Sequence, residues 1–277
     1  MARAVLFVAF GVVMFSSFML NAWEVGSVVA LVAGLVGYFV VLRRAAFAAH
    51  AIPNGAFAGA AGASLIGQST LLGLGVFSVL GGVAITLMGR RGRNDVATAL
   101  VLVAMLGLGS AFLSQGTGYE GQLYGLLFGE ILGVSSSSVV PVFILGACTC
   151  AIILALFRPL LLASTAPDLA RAQGIRVQWL DMAFGVMLAL TTTLTVPVVG
   201  ALLMFPLMIG PPAAARICTK RPGAALALSA AFALVVLWVS LALAYQLNWP
   251  VGFFVGCGSA LLYATVRVGT RLRAMSH

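Results

Sequence analysis

His50 and Asn54 stand four residues apart, with Pro53 between them, and His50 is the histidine of this chain that lies in an apolar setting. On a helix that spacing brings both side chains to one face. Pro53 removes an amide donor and displaces the carbonyl of Ala49. Interrupted helices in membrane transporters expose backbone carbonyls and side chains to a pathway. His50 is therefore read in two ways, as a metal-contacting pathway residue or as an interfacial histidine near the end of a span. A second constellation runs from Pro197 to Pro212, with four prolines and two glycines in sixteen residues. Such a segment predicts a broken backbone that packs against protein or lines a cavity. Met204 and Met208 share a helix face there, as packing residues or as soft thioether ligands. Glu130 could reach inward from an outer re-entrant piece. The candidate translocation residues are thus His50, Asn54, Glu130, Met204 and Met208, with His50 the candidate metal contact.

A third stretch carries no ligands but has the form of a docking element. Within Arg158–Leu180, Thr165 is placed to cap a helix whose first turn holds Pro167 and Asp168. Leu169, Ala170 and Arg171 continue it, and Gly174 can close it. This predicts a short water-exposed helix, suited to a partner's groove, inside a cytoplasmic segment spanning roughly 163–178. A bare connecting loop is the other reading. Gly55, Gly59, Ala63 and Gly67 recur every four residues and predict a ridge of small side chains for close helix packing.

Hydrolytic chemistry within the chain is disfavoured, because no nucleophile–base pair, metal-ligand cluster or paired carboxylates fall within the apolar spans. A phosphate-binding loop needs a Gly-rich turn followed by Lys and Ser or Thr, whereas the one lysine, Lys220, lies in Cys-Thr-Lys-Arg-Pro. If ATP drives this protein, another polypeptide hydrolyses it, and the short helix is the natural contact. Gradient coupling usually needs ionisable groups inside the membrane, and no Asp, Glu, Lys or Arg lies at a span centre. Asp181 sits at a cytoplasmic helix start, where a carboxylate is favoured. Sodium can be held by carbonyls alone, so a gradient-driven carrier of about ten spans stays as the alternative. Cys148, Cys150, Cys218 and Cys257 sit in or beside apolar runs and read as small core residues.

The elements that must position these residues follow from composition. The 277 residues are 62% hydrophobic and 8% charged, with a mean hydropathy of +1.15, which excludes a soluble globular domain. Buried peptide groups in hydrocarbon must pair within a helix or around a closed barrel, and the apolar runs have helix length. The expected fold is all-α: a polytopic bundle of eight to ten membrane helices forming a single domain over 1–277, with the pieces around 55–68 and 180–217 partly half-helices or re-entrant. Residues 1–20 read as a short extra N-terminal span or a surface helix rather than a cleaved leader. The net charge of +9 marks loops and not nucleic acid. Arg43–Arg44, Arg90–Arg93, Arg158–Arg176, Arg216–Arg221 and Arg267–Arg273 are separated by even numbers of passes, which places these loops and the C-terminus in the cytoplasm. The opposite face carries Glu24, Glu120 and Glu130 and is mildly anionic.

Taken together, these residues resemble the membrane subunit of zinc, manganese and iron ABC importers, the ABC-3 permease family, from about Phe18 to Val268. The resemblance rests on Gly37–Arg44 with Phe47, Leu127–Leu132, Arg158-Pro159-Leu160-Leu161, Pro167–Gly174, Val199–Leu203 and Pro211–Arg216. It implies a type II ABC importer-like bundle, paired with a second permease copy, in a plasma membrane. The implied partners are two cytoplasmic ATPases and an extracytoplasmic metal-binding protein, with Pro167–Gly174 as the coupling element. The implied cargo is a divalent metal, zinc or manganese, with no resident cofactor and with ATP used by the partner; a metal chelate or other small solute is the variant reading. Where the family typically has Asp-Ala-x-Ser-His, this chain has His50-Ala51-Ile52-Pro53-Asn54, which trades a carboxylate and an imidazole for an imidazole and an amide.

Overall fold

The computed structural model describes residues 17–89, 94–115, 129, 131 and 136–275. Ten helices lie within them: α1 (Ser17–Leu42), α2 (Ala46–Leu65), α3 (Thr70–Met88), α4 (Asn94–Gln115), α5 (Ser136–Thr165), α6 (Pro167–Ala172), α7 (Val177–Val199), α8 (Ala201–Cys218), α9 (Pro222–Leu247) and α10 (Val251–Met275). Seven of them, α1, α3, α4, α5, α7, α9 and α10, are long and apolar enough to cross a membrane. The helices α2 and α8, of 20 and 18 residues, reach about 30 and 27 Å at 1.5 Å per residue. The chain is a multi-pass helical membrane protein. Residues 1–16, including most of the expected extra span, and the Arg90–Arg93 cluster lie outside the described residues.

Burial separates central from peripheral helices. About two thirds or more of the span is enclosed in α1 (67%) and α7 (72%), against 22% in α5 and 17% in α10, whose free faces are left for lipid. The helices α2, α3 and α4 pack together, α1 packs with α5, α8 and α9, and α10 covers α8 and α9. Between these groups stands α7, against α3 on one side and α1 and α5 on the other. A central helix with four threonines would be costly unless their hydroxyls were satisfied. Thr191, Thr192, Thr193 and Thr195 each donate to the carbonyl four residues earlier, at 2.7–2.9 Å.

The expected half-helices are corrected. The helix α2 runs unbroken through Pro53, and α7 continues to Val199 as a full helix. The interruption falls at one residue, Gly200, whose φ of +89° separates α7 from α8. Pro206, Pro211 and Pro212 lie inside α8. Each proline removes one amide, a loss that helices held on several sides by neighbours tolerate. The expected ridge is also shortened, because α2 ends at Leu65 and Gly67 falls in the turn beyond it. Gly59 makes the closest approach: a Cβ there would collide with the Gly73 carbonyl of α3, and one on Gly73 would lie 2.5 Å from Ala63 Cβ. Gly55 instead faces Met105 of α4.

Candidate functional site

The His50 side chain is set on α2 one turn before Asn54. Asn54 Nδ2 donates to the His50 backbone carbonyl at 2.7 Å, which leaves the amide oxygen as its free acceptor. His50 Nδ1 is buried without a hydrogen-bond partner. The imidazole meets the ring of Phe205 on α8 edge-to-face, with centroids 5.1 Å apart. His50 therefore sits on the seam between the α2–α4 group and α8. Phe205 belongs to the proline-rich stretch but was not among the candidate residues, and only the packing of α8 on α2 reveals it.

Met204 and Met208 lie either side of Phe205 in sequence. Both are fully buried and belong to the main hydrophobic core. Glu130 lies outside the described residues; its neighbour Gly129 packs against Val199 and Gly200, at the α7–α8 interruption. Among the described residues no group of three or more His, Cys, Asp or Glu side chains converges to hold a metal ion.

At the other end of the bundle, α6 is a six-residue helix. Thr165 does not cap it, in correction of the expected arrangement. It is the last residue of α5 and donates its hydroxyl to the Leu161 carbonyl at 2.9 Å, so Ala166 occupies the cap position. Pro167 opens the helix, where its missing amide costs nothing. Gly174 closes it with φ +78°, donating to the Arg171 carbonyl while Ile175 donates to Ala170, both at 3.0 Å. This is the left-handed closure that glycine makes without a Cβ clash. Ala170 is buried, Leu169 is 52% exposed, and Asp168 pairs with Arg171 at 2.8 Å on the outer surface. The segment thus presents an apolar knob beside a charged pair.

Sequence reading also missed a polar junction beside α6. Arg43, in the turn after α1, donates from Nη1 to Asp181 Oδ1 on α7 at 2.7 Å and from Nε to Ser164 Oγ on α5 at 2.9 Å. Arg216 Nη1 on α8 donates to the Val41 carbonyl at 3.3 Å. These contacts gather the ends of α1, α5, α7 and α8 on one side of the bundle, as the even pass count requires.

A bundle of this form, with seven long apolar helices, defines a polytopic helical membrane protein. The chain belongs to the ABC 3 transport family, which it matches over residues 15–268. It is 30% identical over 223 residues to the manganese transport system membrane protein MntC of Halalkalibacterium halodurans, covering 79% of this chain and 76% of that protein. It is 28% identical over 248 residues to the manganese import system permease protein ScaB of Streptococcus parasanguinis, covering 89% and 88%. Among solved structures, PsaBC from Streptococcus pneumoniae in complex with Fab superposes with a TM-score of 0.84 at 25% identity, covering 94% of this chain and 95% of that one. An inward-facing metal-chelate type ABC transporter shares the fold alone, with a TM-score of 0.70 at 16% identity over 91% and 86% of the two chains.

Proposed function

We propose that this chain is the permease subunit of an ATP-driven importer that moves a divalent cation, manganese or zinc, into the cytoplasm. Similarity along nearly the whole length to manganese transport permeases carries this reading, and family membership favours it over a gradient-driven carrier. ATP is hydrolysed by a separate pair of cytoplasmic ATPases. They dock on α6 through Leu169 and the residues Pro167, Asp168, Arg171 and Gly174 around it, with Ala170 anchoring the helix from beneath. A second copy of the permease completes the pathway, and an extracytoplasmic metal-binding protein delivers the cation. The basic loops and the C-terminus face the cytoplasm, as expected in a plasma membrane.

The passage runs along the seam at His50, Asn54 and Phe205, close to the α7–α8 interruption. The buried, unpartnered Nδ1 of His50 supports this assignment, since in the Nε2-protonated tautomer its lone pair is available to a passing cation. Imidazole and amide are neutral, so they hold a divalent ion more weakly than a carboxylate does. A conducting site must release what it binds. Proteoliposomes containing the permease, its cognate ATPase and the binding protein should take up Mn²⁺ or Zn²⁺ only when ATP is supplied on the ATPase side. Uptake of either ion by the permease alone, without nucleotide, would overturn the reading.

A further inference from the structure

Among the helix ends gathered near α6, one side chain joins three. Arg43 reaches Asp181 on α7, Ser164 on α5 and the face of the Phe184 ring on α7, whose centroid lies 4.9 Å from the guanidinium carbon. The Arg43 side chain is 13% exposed and that of Asp181 44%, so the cation is the enclosed partner. A planar guanidinium serves a carboxylate, a hydroxyl and a ring face at once in a fixed fork geometry that an ammonium lacks. Ser164 donates to the Leu160 carbonyl at 2.5 Å, which aims its oxygen lone pairs at Arg43. By contrast, the Arg171–Asp168 pair lies within one exposed helix and ties nothing together.

The placement of the two partners matters. Ser164 stands three residues before Pro167, and Asp181 seven after Gly174. Arg43 therefore grips both roots of the exposed segment that carries α6. We propose that Arg43 is the positioning residue that makes these two roots and the end of α1 move as one body, passing displacement of α6 into the bundle. The proposal rests on α6 being the ATPase-docking element. Without the tie, each root yields separately and the displacement is lost at the membrane face. With it, the movement enters α1, which packs along its length on α5, α7, α8 and α9.

The test uses the complete complex in proteoliposomes, with Mn²⁺ as cargo, and reads ions taken up per ATP hydrolysed, normalised to assembled complex. Arg43→Gln and Asp181→Asn should each lower that ratio about fivefold or more, a typical coupling magnitude. The double variant should be no worse than Arg43→Gln alone, because that variant already removes the ion pair that Asp181→Asn removes. Arg43→Lys, which keeps the charge and loses the fork, should fall between. Should Arg43→Gln fail to assemble, Asp181→Asn and Ser164→Ala provide the same reading. An unchanged ratio in variants of a complex whose wild type is coupled overturns the clamp and leaves the docking assignment standing. Uptake and hydrolysis that fall together with assembly also overturn it, since that is the signature of a plain brace. A wild type whose uptake ignores ATP removes the docking assignment, and the clamp with it.

Discussion

If the passage follows the seam proposed above, His50 is the position whose side chain sets what the pathway prefers. Its Nδ1 is buried without a hydrogen-bond partner, and the ring meets Phe205 edge-to-face. A carboxylate there would favour a hard ion, whereas imidazole suits zinc as well. His50→Ala should lower cation uptake while the chain still assembles, and His50→Asp should raise the ratio of Mn²⁺ to Zn²⁺ transported in a competition assay. Equal flux and an unchanged ratio would return His50 to an interfacial packing role. Gly174 matters for a different reason, its φ of +78°. A Cβ there meets open space, so Gly174→Ala acts through the left-handed backbone alone, at about 1–2 kcal/mol. The six-residue α6 should fray and uptake per ATP should drop, while the melting temperature of the permease stays near wild type; a parallel loss of thermal stability would show that α6 braces the bundle.

At the scale of elements, α2 and α3 are held by the contact between Gly59 and Gly73. A methyl group at Gly59 is met by the Gly73 carbonyl, so the two backbones must separate. Gly59→Ala should therefore destabilise by about 1–3 kcal/mol, the usual penalty of overpacking. At Gly107, inside α4, a methyl group would have nothing within 4 Å, and Gly107→Ala should be neutral or stabilise by about 0.5–1 kcal/mol. Thermal unfolding in detergent separates the two; similar shifts would mean that the α2–α3 contact is looser than the packing implies. The helix α7 adds the central wall, with its threonine hydroxyls satisfied on their own helix and its end marked by Gly200.

For the whole molecule, the arrangement of helix ends ties orientation to function. The ends carrying Arg43, Ser164, Asp181 and Arg216 share one face, and α6 lies beside them. That face must be cytoplasmic if α6 meets an ATPase. Cys218, exposed at the end of α8, is a reporter for it. With Cys148, Cys150 and Cys257 replaced by Ala, a membrane-impermeant maleimide should label Cys218 in inside-out vesicles and leave it unmodified in intact cells. Labelling from outside the cell would invert the topology and detach α6 from any cytoplasmic partner.

The sequence by itself determined the solvent, the class of secondary structure and the family, because hydropathy and helix signals are local properties of a continuous stretch, whereas the eight to ten expected spans compare with seven long apolar helices among the described residues. Gly174 was legible as a helix stop for the same reason, while Thr165 was misread because α5 extends farther than its apolar run. The tertiary structure alone decided which side chains meet. Arg43 and Asp181 are 138 residues apart, and no local pattern pairs one basic residue with one carboxylate at that separation. Phe205 against His50, and Met204 and Met208 in the core, depend on the rotation of α8 about its axis. That rotation is set by how small residues let backbones approach, a relation between distant segments that neither segment carries alone.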